Sequence, residues 1–327
     1  MAKFGIKVAA VVAVSAAFFT ACSTPATPAA SGSEAASSAP GAKTYKIGVT
    51  FPILDQFLQK VADGITAEAK AKGADVTIVA ADEKTDVQVG QVENFISQKV
   101  DAIIVIPVDT DAAGTMTQKA QDAKIPLVYV NRKPSDIPET VPYVGSDSLV
   151  SGTLEMTQLA TLAGGKGNVV VLQGDPANEA AVLRTKGCVD VVAKNPGMKI
   201  TKTATGMWQR EKGQSVMENW LQSGEEINVV CANNDEMALG AINAIKAAKK
   251  TLGKDGILVG GVDATSDALA ALKAGDLATT VFQDAKGQGG GGVDAALTLI
   301  SGGTVPAYVD VPYQLVTLEN MADFAGK

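Results

Sequence analysis

The chain has 327 residues, 46% of them hydrophobic, with 28 Lys and Arg against 35 Asp and Glu, for a net charge of −7. That acidic balance argues against nucleic acid as a partner, which needs a basic footprint. The absence of histidine removes the Ser-His and Cys-His pairs of hydrolases and the commonest metal ligand. In chain order, Lys3 and Lys7 precede an apolar run from Val8 to Phe19 and a small-residue stretch ending at Cys22. The run is too short to span a bilayer and reads as an export signal over residues 1–22. Residues 23–43 are dominated by Ser, Ala, Pro and Gly with no apolar period, and read as a flexible tether.

From residue 44 onward, short runs rich in β-branched residues alternate with helical spacing. Strands are expected at 45–50, 75–80, 102–107 and 126–131, and a helix at 56–72, where Phe57, Val61, Ile65 and Ala69 recur every four residues. The rhythm restarts with strands at 168–174, 199–206, 227–233, 257–263 and 277–284. Strand–helix–strand alternation predicts an α/β fold with parallel sheets and right-handed crossovers, here as two doubly wound units facing one cleft. Polar residues gather where the strands end: Asp55 with Phe57 close by, Asn131 and Arg132, Asp175 and Asn178, Asn233-Asn234-Asp235, Asp263, and Gln283. One such residue is an ordinary cap or turn former. Their recurrence on the edge where open α/β sheets bind ligands points to a site. At 233–235, Asn234 is expected to face the solute and Asp235 to serve the start of the following helix.

Phe19-Thr20-Ala21-Cys22 resembles the lipobox of bacterial lipoproteins, with Phe19 where Leu is usual. The resemblance implies lipidation of Cys22; the other reading is an ordinary signal peptide cut after a small-x-small site. Cys188 and Cys231 could pair in an oxidising compartment, but each is read in preference as a buried small hydrophobe. No group of residues has metal-ligand spacing, and no cofactor is expected.

The stretches "VCANNDEMALGAINAIKAA", "ILVGGVDATSDALAALKAGDLATTVFQD", "PLVYVNRKP" and "YVGSD" resemble the sugar-binding proteins of bacterial ABC transporters, of the ribose/galactose-binding type, over nearly everything from residue 44. The resemblance implies two lobes, 44–146 plus 284–310 and 147–283 plus 311–327. Hinges would lie near Ser146-Asp147, Gln283-Asp284 and Val311-Pro312, and Ser146 joins the expected contacts. "TATGMWQREKGQSVMENWL" resembles the segment whose Trp stacks on a sugar ring, pointing to Trp208, with Trp220 in the core. "LQGDPANEAAVLRTKG" resembles the segment that supplies a polar contact and an Arg, here Asn178 and Arg184. Val182 departs from the ribose binders, Asn178 departs from the glucose/galactose binders, and the calcium loop of the latter is not recognisable. Taken together, the segments look most like the inositol- and rhizopine-binding members. The resemblance therefore implies a monomeric, exported, lipid-anchored protein that binds a sugar or cyclic polyol and delivers it to an ABC permease.

The residue types suit that ligand. Hydroxyls donate and accept, so acceptors (Asp55, Asp263), bidentate donors (Arg132, Arg184) and amides (Asn131, Asn178, Asn234, Gln283) are all useful, and Phe57 and Trp208 offer faces for ring C–H groups. Two other readings are weaker, and a third stays open. Gly287, Gly289 and Gly292 fit a G-x-G-x-x-G spacing, but near the C-terminus rather than opening a βαβ unit, and close helix packing explains them better. A repressor of this fold would carry a helix-turn-helix where the export signal lies. A sensor presenting bound sugar to a membrane receptor is compatible with everything above.

Overall fold

A computed structural model describes residues 44–327; the expected export signal and tether, and the lipidation expected at Cys22, fall outside the described residues. The first part of the chain alternates β1 (Lys46–Phe51), α1 (Gln56–Lys72), β2 (Asp75–Ala80), α2 (Thr85–Ser97), β3 (Ala102–Val105), α3 (Gly114–Asp122), β4 (Leu127–Val130) and β5 (Tyr143–Gly145). The middle part continues with α4 (Ser148–Leu162), β6 (Lys166–Gln173), α5 (Glu179–Ala193), β7 (Gly197–Thr205), α6 (Arg210–Gln222), β8 (Val229–Ala232), α7 (Asp235–Ala247), β9 (Leu258–Gly260) and α8 (Ser266–Ala274). The last part holds β10 (Thr280–Phe282), α9 (Ala285–Ile300), β11 (Tyr308–Asp310) and β12 (Gln314–Val316).

Two parallel sheets result. The first has the order β11-β5-β4-β3-β1-β2 and the second β7-β6-β8-β9. β10 pairs antiparallel with β12, and bridges from Gly260 to Thr279 and from Asp263 to Phe282 set β10 beside the second sheet. Each sheet is covered on both faces because its strands alternate between two cores. In the first, Ile47, Val49 and Ile104 pack with α1 and α9, whereas Ile103 and Val105 face Phe95 and Met116 of α2 and α3. In the second, Val170, Val230 and Ala232 pack with α6 and α7, and Val169, Val229 and Cys231 face α4 and α5. Trp220 lies in the former core. The chain passes between the sheets three times: after β5, after β10 and after β11.

Local chemistry sets the helices that matter to the site. α1 begins where the Asp55 carboxylate accepts from the Leu58 amide at 2.7 Å and ends at Gly73, whose φ of 69° suits a left-handed cap. Its buried stripe includes Phe57, Val61, Ile65 and Ala69. α9 packs closely on α1 because Gly64 lies against the backbone of Lys286 and Gly289 against the carbonyl of Val61, where any Cβ would collide. Of the three glycines in the G-x-G-x-x-G spacing of α9, Gly289 thus lets the helix approach α1, Gly292 lies against Val130 of β4, and Gly287 leaves room for the Asp284 cap.

One expectation needs correction. Cys188 and Cys231 are fully buried, but they form a disulfide, with Cα atoms 6.8 Å apart. Cys188 lies on the face of α5 that covers β8, and Cys231 points from β8 to that same face. Sequence spacing does not reveal that those two faces meet.

Candidate functional site

The carboxyl ends of the two sheets face each other across a cavity of about 40 Å³, lined by Asp55, Phe57, Leu58, Asn131 and Arg132 from the first and by Ala180, Arg184, Trp208, Asn234, Asp263 and Gln283 from the second. Nine of the eleven residues expected around a ligand line this one cavity. Ser146 and Asn178 do not. Ser146 donates to the Val311 carbonyl and accepts from Gln288 at 3.0 Å, tying two crossings together. Asn178 accepts from the Trp208 indole N–H at 2.8 Å and donates to the Val108 carbonyl at 2.6 Å. Asn178 was expected as a contact from its place after a strand and from the resemblance, and Ser146 from its place at an implied hinge, yet both direct their side chains to protein partners.

The roles within 233–235 are also redistributed. Asn234 is the N-cap of α7, accepting from the Met237 amide at 3.0 Å, and its Nδ2 donates to the Trp208 carbonyl at 3.1 Å. It lines the cavity while serving the helix start. Asp235, fully buried, accepts from the Thr265 amide at 2.8 Å and the Thr280 hydroxyl at 2.7 Å, bracing the loop that carries Asp263. Asn233 holds the Gly174 amide at 3.1 Å through its side chain and accepts Arg184 on its carbonyl. Three polar residues in a row therefore do three jobs.

The two arginines are held differently. Arg184 donates to the carbonyl of Asn233 at 2.7 Å, to Gln283 Oε1 at 2.6 Å and to the Tyr313 hydroxyl at 2.9 Å, with Asp263 3.9 Å away. Its Nε is buried without a hydrogen-bond partner, so a donor remains for an acceptor from elsewhere. Burial opposes its charge, but Tyr313 and Asp263 outweigh that and raise its pKa. Arg132 is anchored by the Pro107 carbonyl at 3.1 Å; burial lowers its pKa, while Glu83, Asp55 and Asp175 oppose the shift. Burial pushes the Asp263 carboxyl well above the ordinary aspartate value against the pull of Arg184, and raises Asp55 against the Leu58 amide and Arg132. Buried donors and acceptors of both signs in one cavity suit a neutral ligand rich in hydroxyls.

The backbone is strained at the same place. Asn131, Trp208 and Asp263 have φ of 67°, 65° and 125°, conformations that cost roughly 1–3 kcal/mol each in non-glycine residues. The strain is held by neighbours: Asn131 Nδ2 donates to Gln288 at 2.9 Å, and the Asp263 amide donates to the Val281 carbonyl at 2.8 Å. The Trp208 ring lies against Gly174, where no side chain would fit, with the Arg184 guanidinium 5.6 Å from its centroid.

Sequence reasoning missed Gln288 and Tyr313. Gln288 is fully buried and bonds to Asn131, Ser146 and, at 3.4 Å, Gln283; the Tyr313 hydroxyl donates to Gln283 at 3.1 Å. A glutamine inside a glycine-rich apolar helix is the one signal that would have singled out Gln288. Among the described residues, the only carboxylate and sulfur atoms grouped closely enough for a metal are those of Glu155, Cys188 and Cys231. With the two sulfurs joined in a disulfide, they offer no thiolate.

Two parallel sheets that meet edge to edge over a polar cavity, joined by three crossings, define a two-lobed solute-binding protein. The chain belongs to the periplasmic binding protein family, whose domain matches residues 47–304. It is 46% identical over 288 residues to a Rhizobium meliloti protein to which rhizopine binding is ascribed, an alignment covering 86% of this chain and 93% of that protein. It is 35% identical to the xylitol-binding protein of Mycolicibacterium smegmatis, covering 84% of this chain and 78% of the relative. Among solved structures, an ABC transporter solute-binding protein from Bacillus halodurans with bound myo-inositol matches with a TM-score of 0.82 at 41% identity, over 86% of this chain and 97% of that one.

Proposed function

We propose that the chain is an exported solute-binding protein that captures a neutral cyclic polyol between its two lobes, myo-inositol first and a pyranose or pentose after it, and delivers it to an ABC permease. The observation that carries this reading is the cavity lining. Asp55 and Asp263 accept, Arg132 and Arg184 donate, Asn131 offers an amide, and Phe57 and Trp208 contribute aromatic surface, drawn from both sheets. The bound myo-inositol of the Bacillus halodurans structure and the rhizopine ascribed to the Rhizobium meliloti relative support a ring carrying many hydroxyls. In this reading the lobes comprise 44–146 plus 284–310 and 147–283 plus 311–327, the protein works as a monomer, and ligand leaves chemically unchanged. Lipidation of Cys22 anchors it to the membrane; Cys22→Ser should release it, and unchanged membrane retention would refute the anchor.

A thermal-shift screen against inositols, pentoses, hexoses and their alcohols tests the ligand class. A ligand at 100 times its Kd stabilises the fold by about 2.7 kcal/mol, a clear rise in Tm. Stabilisation led by myo-inositol supports the proposal, and none by any cyclic polyol or sugar overturns it.

A further inference from the structure

Helix α5 begins without a cap of its own: Asn178 stands at the N-cap position, but its side chain makes no capping bond. The cap comes from the other sheet's side of the cavity. The amide of Glu179, the first residue of α5, donates to the hydroxyl of Thr110 at 3.1 Å, and that hydroxyl donates to the Ala177 carbonyl at 3.1 Å. The Thr110 amide donates to the same carbonyl at 3.1 Å. One hydroxyl proton and one lone pair thus replace the side chain that ordinarily satisfies a helix start.

Asn178 makes the second link. Its amide orientation is forced, because an indole N–H can only donate and a carbonyl can only accept. Oδ1 therefore faces Trp208 and Nδ2 faces the Val108 carbonyl. Val108 is itself fixed, its amide donating to the buried Gln88 at 2.8 Å, and Arg132 of the cavity anchors on the adjacent Pro107 carbonyl. Thr110 and Asn178 are 3% and 0% exposed, and neither lines the cavity.

We propose that Thr110 and Asn178 are positioning residues that form a clasp between the lobes: it closes without touching ligand, caps α5 from the opposite lobe, and sets the Trp208 ring as it closes. The proposal rests on the two-lobed binding reading above. When the lobes part, α5 loses its cap and the Trp208 indole loses the bond chain that leads to Val108. The clasp therefore favours the closed form by the same amount whatever the ligand. It acts on how long ligand is held rather than on which ligand is chosen.

The test is stopped-flow release of myo-inositol, and of each pyranose or pentose that binds, from the wild type, Thr110→Val, Thr110→Ser and Asn178→Ala. Thr110→Val should speed release about three- to tenfold, the worth of one or two hydrogen bonds, by a common factor for every ligand and with little change in association rate. Thr110→Ser, which keeps the hydroxyl, should restore wild-type release. Asn178→Ala should also shift the emission of ligand-saturated protein through Trp208, which Thr110→Val should leave in place. Unchanged release from Thr110→Val, a change confined to one ligand, or failure of serine to restore it overturns the clasp. Should the wild type bind none of these ligands, the proposed function fails while the clasp stays testable. Small-angle scattering of ligand-free Thr110→Val must then give a larger radius of gyration than wild type, and equal radii would refute it.

Discussion

At the scale of single residues, Arg184 is the most connected side chain in the cavity. Arg184→Ala removes three donated bonds at once and leaves Gln283 and Tyr313 without their cation, so affinity for a hydroxyl-rich ligand should fall by roughly 2–5 kcal/mol, measured by titration calorimetry. Asp263→Ala should weaken the same titration, and wild-type affinity in either variant would contradict the site. Glu179 carries a pH signature. Burial raises its pKa to about 6, against the pull of the Ser148 hydroxyl, Arg184 and Lys133. A carboxyl raised in the folded state holds a proton that the unfolded chain has already released. Its contribution to stability is therefore greatest below about 4.5, declines as pH rises to about 6, and is flat above that. The slope from one such group is at most about 1.4 kcal/mol per pH unit. Glu179→Gln should remove its share of the decline, as read by denaturant unfolding at a series of pH values; identical profiles for the two proteins would contradict the assignment.

At the scale of elements, the closest packing relies on glycine. Gly289→Ala should push α9 from α1 and cost about 1–3 kcal/mol, whereas Gly90→Ala in α2, with nothing near the new methyl, should stabilise by about 0.5–1 kcal/mol. Thermal unfolding distinguishes them, and equal effects would refute the packing account. The long elements were legible beforehand because periodicity carries them: α1 follows directly from the spacing of Phe57, Val61, Ile65 and Ala69, and β2 from its β-branched run. β5, β11 and β12 were not, since they lie outside the expected strand runs that contain the equally short β9 and β10, and their pairing is settled by tertiary contact. The same limit explains the site. Strand ends announced Asp55, Arg132 and Asp263, and the family resemblance Arg184, but neither said which polar residues would turn inward to protein, as Ser146 and Asn178 do. The Cys188–Cys231 pairing was hidden for a related reason, because it depends on which face of α5 covers β8.

At the scale of the whole molecule, a network of buried polar groups joins the cavity to all three crossings. Arg184 reaches Gln283 and Tyr313, Gln283 reaches Gln288, and Gln288 reaches Asn131 and Ser146, which holds Val311. Cavity and crossings are therefore one connected structure, and on the proposed function binding should shrink the radius of gyration. The chain has two tryptophans, one beside the cavity and one in the core, so Trp220→Phe should keep the fluorescence response to ligand and Trp208→Ala should lose it. A response that follows Trp220 instead would contradict the placement of the aromatic platform. The most direct measurement is calorimetric titration of myo-inositol into the wild type and into Trp208→Ala. One saturable site in the wild type, much weakened in the variant, is the expected result. Absence of saturable binding, or equal affinity in the two proteins, would contradict a cavity built to grip a polyol ring.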